Sequence, residues 1–197
     1  MVDRKKRRLN RNDWLLAALD MCEGGIDKIK VAPLAANIGV TTGSFYWHFK
    51  NRGELLNALL EFWEREMTDT PIASAKTFSG RPEERIFFVM KNIIEKRLAR
   101  YDLAVWHWAQ SDGRAKQVFG RALNKRFAFA ARLFSEAGFS KRQAEARGRM
   151  MVLYMMSELT LTPKDLAWQE GQLRERHVIL LARPGGPGEQ RGSAARA

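Results

Sequence analysis

LAANIGVTTGSFYWHFKNRGELLNALL, residues 34–60, decides the fold of this chain. Leu34, Ala35 and Ile38 form a short helical stripe, opened by Pro33 and closed by Gly39. Gly39 permits a sharp turn, Val40 can pack between the helices on either side, and Ala35 is small where they cross. Thr41 is placed to cap a third, short helix. That helix carries Phe45, Tyr46, Trp47, His48 and Phe49 in a row, and one helix face cannot bury them all. Phe45 and Phe49, at i and i+4, suit the core. Tyr46 points about a third of a turn away. Trp47 and His48 fall near the end of the helix, where an indole N–H and an imidazole N–H can donate to phosphate; an indole at 47 equally suits a wedge against the preceding helices. Thr42, Gly43 and Ser44 are short, so the N-terminus of the helix can approach a partner closely. Asn51 and Glu54 read as the cap and N3 partner of a fourth helix, with the stripe Leu55, Leu56, Leu59, Leu60, Trp63, Met67.

Outward from this stretch, nearly every segment has helical period. Trp14, Leu15, Ala18, Leu19 and Cys22 precede it and end at Gly24 and Gly25. After it, Thr70 to Arg81 reads as a linker. Pro82 opens a helix with the stripe Ile86, Val89, Met90, Ile93, Ile94, Arg97, Leu98. Asp102 is a candidate cap for LAVWHWAQ. A long helix through Phe119, Leu123, Phe127, Ala130 and Phe134 ends at Gly138, and Ser140 caps another that reaches about Leu161, before Pro163. Leu166, Leu173 and Leu180 mark a last helix, and residues 183–197 read as a disordered tail. No strand or repeat is evident, so the expected class is all-α: a basic arm over residues 1–11, a helix-turn-helix domain over 12–66, a helical bundle over 67–182, and the tail.

The chain of 197 residues carries 34 basic and 22 acidic side chains, a net +12 that favours polyanions. The charge is not gathered in the helix-turn-helix: residues 1–66 hold 11 basic and 9 acidic side chains. RKKRRLNR, residues 4–11, has six basic residues and no acid, and reads either as an arm that tracks phosphates or as a solubilising tail. One cysteine, Cys22, excludes a disulfide within the chain and fits a reducing cytoplasm. His48, His107 and His177 show no metal spacing, and no cofactor is expected. The longest apolar run, Met150–Met156, is far short of the roughly 18 residues of a membrane span, and no signal peptide is evident. A soluble, cytoplasmic protein is expected.

The ordered set formed by a helix ending in Gly-Gly, LAANIGV, GSFYWHF and ELL resembles the DNA-binding signature of the tetracycline-repressor (TetR) family of bacterial regulators. The resemblance covers residues 12 to about 66. It implies double-stranded DNA as partner, with Thr42, Gly43 and Tyr46 at base-contacting places. It puts Lys30, Thr41, Ser44, Trp47, His48 and Arg52 at phosphate-contacting ones. Ala32 departs from members that carry a longer polar residue there, so helix 2 is not expected to read bases.

Beyond residue 66 only the helical architecture agrees with that family. There the resemblance implies a homodimer on a pseudo-palindromic operator and a small-molecule effector. Ala144, Gly148, Met151, Met155 and Leu159 form a seam of small and apolar residues, joined by Leu173 and Leu180, that can serve as dimer interface. Phe87, Met90, Ile94, Trp106, Trp108, Phe127, Tyr154 and Met155 are candidates for the effector pocket, or for plain core. The expected function is a ligand-responsive repressor rather than an enzyme. The alternatives are a basic adaptor that binds nucleic acid or membranes without specificity, and a helical-bundle enzyme, for which no nucleophile motif, phosphate loop or metal set is present.

Overall fold

The computed structural model describes residues 9–160 and 166–183. All regular structure among these residues is helical. Helix α1 (Arg11–Cys22) starts with a reciprocal cap: the Asn10 side chain accepts from Asn12 N and Asp13 N at 2.8 and 3.1 Å, and Asp13 accepts from Asn10 N at 2.7 Å. A 3₁₀ turn (Ile26–Lys28) leads to α2 (Val31–Asn37) and α3 (Thr42–Tyr46). Between the last two, Gly39 N bonds Ala36 O and Val40 N bonds Ala35 O, a closure that places Gly39 at φ +72°. Helix α4 (Arg52–Glu64) begins as expected, with the Asn51 side chain accepting from Glu54 N at 2.9 Å.

The expected linker is largely helix. A π-helical segment, Arg65–Asp69, carries α4 into α5 (Thr70–Lys76), so that only residues 77–81 connect it to α6 (Pro82–Glu95). Pro71 reads as a breaker because it lacks an N–H. The Met67 carbonyl four residues earlier, left without that donor, accepts from Arg126 Nη2 at 3.2 Å. Helix α7 (Asp102–Ala109) follows a turn, then α8 (Gly113–Glu136), α9 (Lys141–Thr160) and α10 (Leu166–Leu181). Ser140 and Gln143 form the cap before α9. Asp102 is not a cap: its carboxylate is buried in an ion pair with Arg126. Arg97 does not extend the α6 stripe either, because α6 ends at Glu95 and Arg97 is exposed at φ +49°. Residues 1–8 of the expected arm and the expected tail from residue 184 lie outside the described residues, as do Leu161 and Pro163 and the side chains of Leu159 and Leu166.

Two apolar cores result. The first joins α1–α4 to α7 and the first half of α8: Trp14, Phe45, Phe49, Leu59 and Trp63 are buried together with Val105, Trp108 and Ala122. Trp63 stacks on Phe119, with ring centroids 5.9 Å apart. The apolar core of the helix-turn-helix therefore continues past residue 66 into residues 101–122. The second core unites α6, the C-terminal half of α8, α9 and α10 around Ile86, Met90, Ile94, Phe134 and Met151.

The seam expected at a subunit interface lies inside this second core. Ala144, Met151, Leu173 and Leu180 are buried within the single chain. A Cβ on Gly148 would stand 2.7 Å from Ala131 N and 3.0 Å from Ala130 C, so the small residues serve the close crossing of α8 and α9. The same helices expose other apolar side chains: Met150, Leu153, Tyr154, Trp168, Val178 and Ile179.

Candidate nucleic-acid interface and ligand cavity

The rings of α3 and of the turn after it face opposite environments. Phe45 and Phe49 are fully buried, 5.4 Å apart, and Trp14 of α1 meets Phe45 edge-on at 5.5 Å. That anchor leaves Tyr46 62% and Trp47 85% exposed, so Trp47 is no wedge between helices. Thr41, Thr42 and Gly43 are exposed, Ser44 and His48 half-buried, and the His48 ring lies 6.3 Å from Trp14. Thr41 sits at the N-cap position, but its side chain makes no capping hydrogen bond. Lys30 is exposed just before α2. Thr41–Ser44, Tyr46, Trp47, His48 and Lys30 thus keep side chains or backbone available to a partner.

Arg52 is partly engaged. Its Nε donates to Ile29 O at 2.6 Å and its Nη2 to Ile26 O at 2.9 Å, tying the start of α4 to the turn before α2. These bonds use two of the five N–H groups of a half-buried guanidinium. Arg11, part of the basic arm by sequence, belongs to the folded head: it lies over the Phe49 ring at 4.6 Å and reaches Glu54 at 3.3 Å.

A cavity of about 440 Å³ lies between this head and the bundle. Its walls are mostly apolar. Leu16 of α1, Phe62 of α4, Ile72 of α5, Phe88 and Ile93 of α6, and Met155 of α9 contribute to them. Of the eight residues expected in an effector pocket, only Met155 lines it. Met90 and Ile94 are buried in the second core, because α6 turns Phe88, Val89, Asn92 and Ile93 to the cavity instead. Phe87 and Phe127 pack at the edge of that core, Phe87 against His177 and Phe127 beneath Arg149. Trp108 belongs to the first core; Trp106 and Tyr154 are on the outside. A linker at Thr70 to Arg81 offers no wall, so the part played by α5 is hidden in the sequence. Asn12 and Leu16 are hidden because α1 lies some 60 residues from the bundle.

The π segment borders this cavity through Glu66, Met67 and Thr68, and a row of cations on α8 grips it from the other side. Arg121 bonds both carboxylate oxygens of Glu64. Lys125 reaches Glu64 at 2.9 Å and Asp69 at 2.7 Å. Burial alone would raise the Glu64 pKa, but the hydrogen bonds from Arg121 and Lys125 outweigh it and hold the carboxyl below its ordinary value. Arg126 donates from Nε to Thr68 Oγ1 at 2.9 Å and from Nη2 to Met67 O at 3.2 Å. It also binds Asp102 through Nη1 at 2.5 Å and Nη2 at 3.2 Å. It stands 5.4 Å over the Trp63 ring and also lines the cavity. Burial pushes the Asp102 carboxyl upward, against the pull of Arg126. Burial, with Glu23 adding to it, pushes the Cys22 thiol up to about 11, which leaves it unreactive. Among the described residues no cluster of His, Cys, Asp and Glu is placed to hold a metal, and no helix is long and apolar enough to cross a membrane.

Residues 17–59 match the model of the bacterial regulatory proteins of the tetR family. Nucleoid occlusion factor SlmA of Pectobacterium carotovorum is 35% identical over 71 residues, which are 34% of this chain and 36% of that protein. The class A tetracycline repressor protein from transposon 1721, of Escherichia coli, is 42% identical over 55 residues, 27% of this chain and 26% of that one. The alignments thus span only about a third, or less, of the length of these curated relatives. Likeness over the whole fold comes from solved structures. The regulator FadR of Bacillus subtilis, in complex with stearoyl-CoA, superposes with a TM-score of 0.64 at 17% identity, over 88% of this chain and 98% of its own. A TetR-family regulator from Rhodococcus sp. gives 0.62 at 16%, over 87% and 99%. Residues 17–59 thus carry the DNA-binding signature of the tetR family of bacterial regulatory proteins, and the chain shares the fold of these solved regulators over most of its length.

Proposed function

We propose that this protein is a transcriptional repressor that reads double-stranded DNA with α3, acts as a homodimer, and releases its operator when a small molecule fills the cavity. The observation that carries the reading is the division of α3. Two fully buried phenylalanines fix a helix whose other side presents Tyr46 and Trp47 to solvent. Two adjacent exposed rings with polar tips, set beside a helix of short side chains, suit cover by a partner. Thr42, Gly43 and Tyr46 are the base-contacting residues of this reading. Lys30, Thr41, Ser44, Trp47 and His48 take phosphates, and short side chains at 42–44 let the helix N-terminus into the major groove.

The dimer forms through the outer faces of α9 and α10, where Met150, Leu153, Val178 and Ile179 are exposed. Arg176 joins the two faces, standing 5.1 Å over Tyr154 and 5.3 Å over Trp168 while it pairs with Glu158 at 3.0 Å. A two-fold pairing there sets two α3 helices for half-sites about one DNA turn apart. The cavity supports an effector because it touches α1, α4 and the π segment, so its occupant bears on the elements that carry α3. FadR, of the same fold, is seen with stearoyl-CoA, and the mostly apolar walls here suit an apolar effector as well. Effector and DNA then oppose each other through one coupling free energy.

Selection of bound duplexes from a random pool tests this. The expected outcome is a short pseudo-palindrome, lost by roughly tenfold or more in affinity when Tyr46→Ala and His48→Ala are combined. Specific binding that survives both changes overturns the contact assignment. Binding without sequence preference overturns the regulator and favours a non-specific basic adaptor.

A further inference from the structure

Among the described residues, Arg126 is the side chain that at once lines the cavity, holds the π segment and neutralises a buried carboxylate. Its four contacts occupy four of the five N–H groups of a guanidinium. They differ in what their loss would cost. Asp102 is buried, and parting it from Arg126 would strand a charge in the interior. Met67 O and Thr68 Oγ1 are neutral acceptors, each held by one bond, and both lie on segment residues that border the cavity. A charged acceptor arriving in the cavity therefore competes for Arg126 most easily at the π segment. The cavity's walls are otherwise mostly apolar, which limits such a ligand to one polar end on an apolar body. Lys96, the other cation in the lining, is exposed just past the end of α6 and does not hold the π segment.

We propose that the cavity binds an amphiphile with an apolar body and one carboxylate end, and that Arg126 reads that end by giving up its bonds to Met67 and Thr68. This rests on the reading of the cavity as the effector site. Once Arg126 lets go, Met67 O loses the donor that stands in for the N–H that residue 71, a proline, cannot supply. The π segment loses a constraint at the point where α4 leaves the head, and π turns inside helices are a recurrent place for such adjustable joints. An uncharged amphiphile of the same length fills the cavity without triggering the exchange.

The test is calorimetric titration of the full chain with octanoate, decanoate and dodecanoate, each beside its matching primary alcohol. Hydrogen exchange over residues 65–76 is followed in parallel. The acids are expected to bind roughly tenfold or more tightly than the alcohols, and only the acids should speed exchange in that segment. Asp102→Asn removes the competing carboxylate and should raise acid affinity. Arg126→Met combined with Asp102→Asn leaves no stranded charge, and should abolish the preference for acids while keeping alcohol affinity. Equal affinity for acid and alcohol in the unaltered chain overturns the role of Arg126 and leaves the effector site standing. A preference that disappears in Lys96→Met and persists in the Arg126 variant overturns it as well. Binding of neither class overturns the effector site itself, and the proposal with it.

Discussion

The head and the bundle are built from the same kind of amphipathic helix, yet they differ in how many jobs each helix has. In the head, α1 and α4 turn most of their apolar side chains to one core and touch the cavity only at their edge through Leu16 and Phe62, while α3 and the turn after it divide between Phe45 and Phe49 inside and Tyr46 and Trp47 outside. In the bundle, α6 serves the second core with Ile86, Met90 and Ile94, and the cavity with Phe88, Asn92 and Ile93. Helix α9 has three tasks: it crosses α8 at Gly148, lines the cavity with Met155, and exposes Met150 and Leu153. A helix with one apolar face announces its orientation. A helix with several does not, because hydrophobic period alone does not say which neighbour each stripe will meet.

The sharpest way to break this contrast is within α3. Phe45→Ala empties a fully buried ring site and should destabilise the protein by about 3–5 kcal/mol. Trp47→Ala, two residues on and 85% exposed, should change stability by no more than about 0.5 kcal/mol while weakening DNA binding. Denaturant unfolding and operator titration separate the two effects. A large stability loss at Trp47 would return it to the role of a wedge.

The bundle's counterpart is Gly148→Leu. The added side chain has backbone of α8 in its way, at distances no real Cβ tolerates, and should cost about 3 kcal/mol by forcing α8 and α9 apart. The readout is hydrogen exchange, with protection lost over α9 while α1 and α4 stay protected. A variant that folds normally and loses only its dimer would restore Gly148 to the subunit interface.

The same contrast explains what is legible in the sequence. The all-α class, the turn at Gly39, the Asn51 cap and the outward Tyr46 all follow from local chemistry with one acceptable solution. The carbonyl bonds of Arg52 are hidden, because a basic residue at a helix start looks alike whether or not it also ties down a neighbouring turn; only the position of Ile26 O and Ile29 O shows it. Ala144, Gly148 and Met151 point to the wrong neighbour for the same reason, since a small-residue seam permits close approach without naming what approaches. The cavity is nearly invisible. It is made by α1, α4–α6, α8 and α9 together, and one wall is a helix begun by a threonine and a proline, which read as a linker.

The smallest expected effect tests whether the two halves are also refined to different degrees at their turns. Three helix ends share one closure, in which the left-handed residue bonds back three positions and its successor five. Gly39 holds that place after α2, Gly138 after α8, and Arg97 after α6, with Arg97 N on Ile94 O and Leu98 N on Ile93 O, both at 3.0 Å. Arg97 is at φ +49°, where a Cβ crowds the neighbouring carbonyl. Its side chain is exposed and joins no ion pair among the described residues, so little is lost with it. Arg97→Gly should therefore stabilise the protein by about 0.5–1 kcal/mol, the relief of strain being partly offset by the greater freedom of glycine in the unfolded chain. Arg97→Ala keeps the Cβ and should give no such gain. If both variants stabilise equally, removal of the positive charge is responsible and the turn is unstrained. If only glycine does, the α6 end carries a strain that its two counterparts avoid, close to the Lys96, Leu98 and Ala99 wall of the cavity.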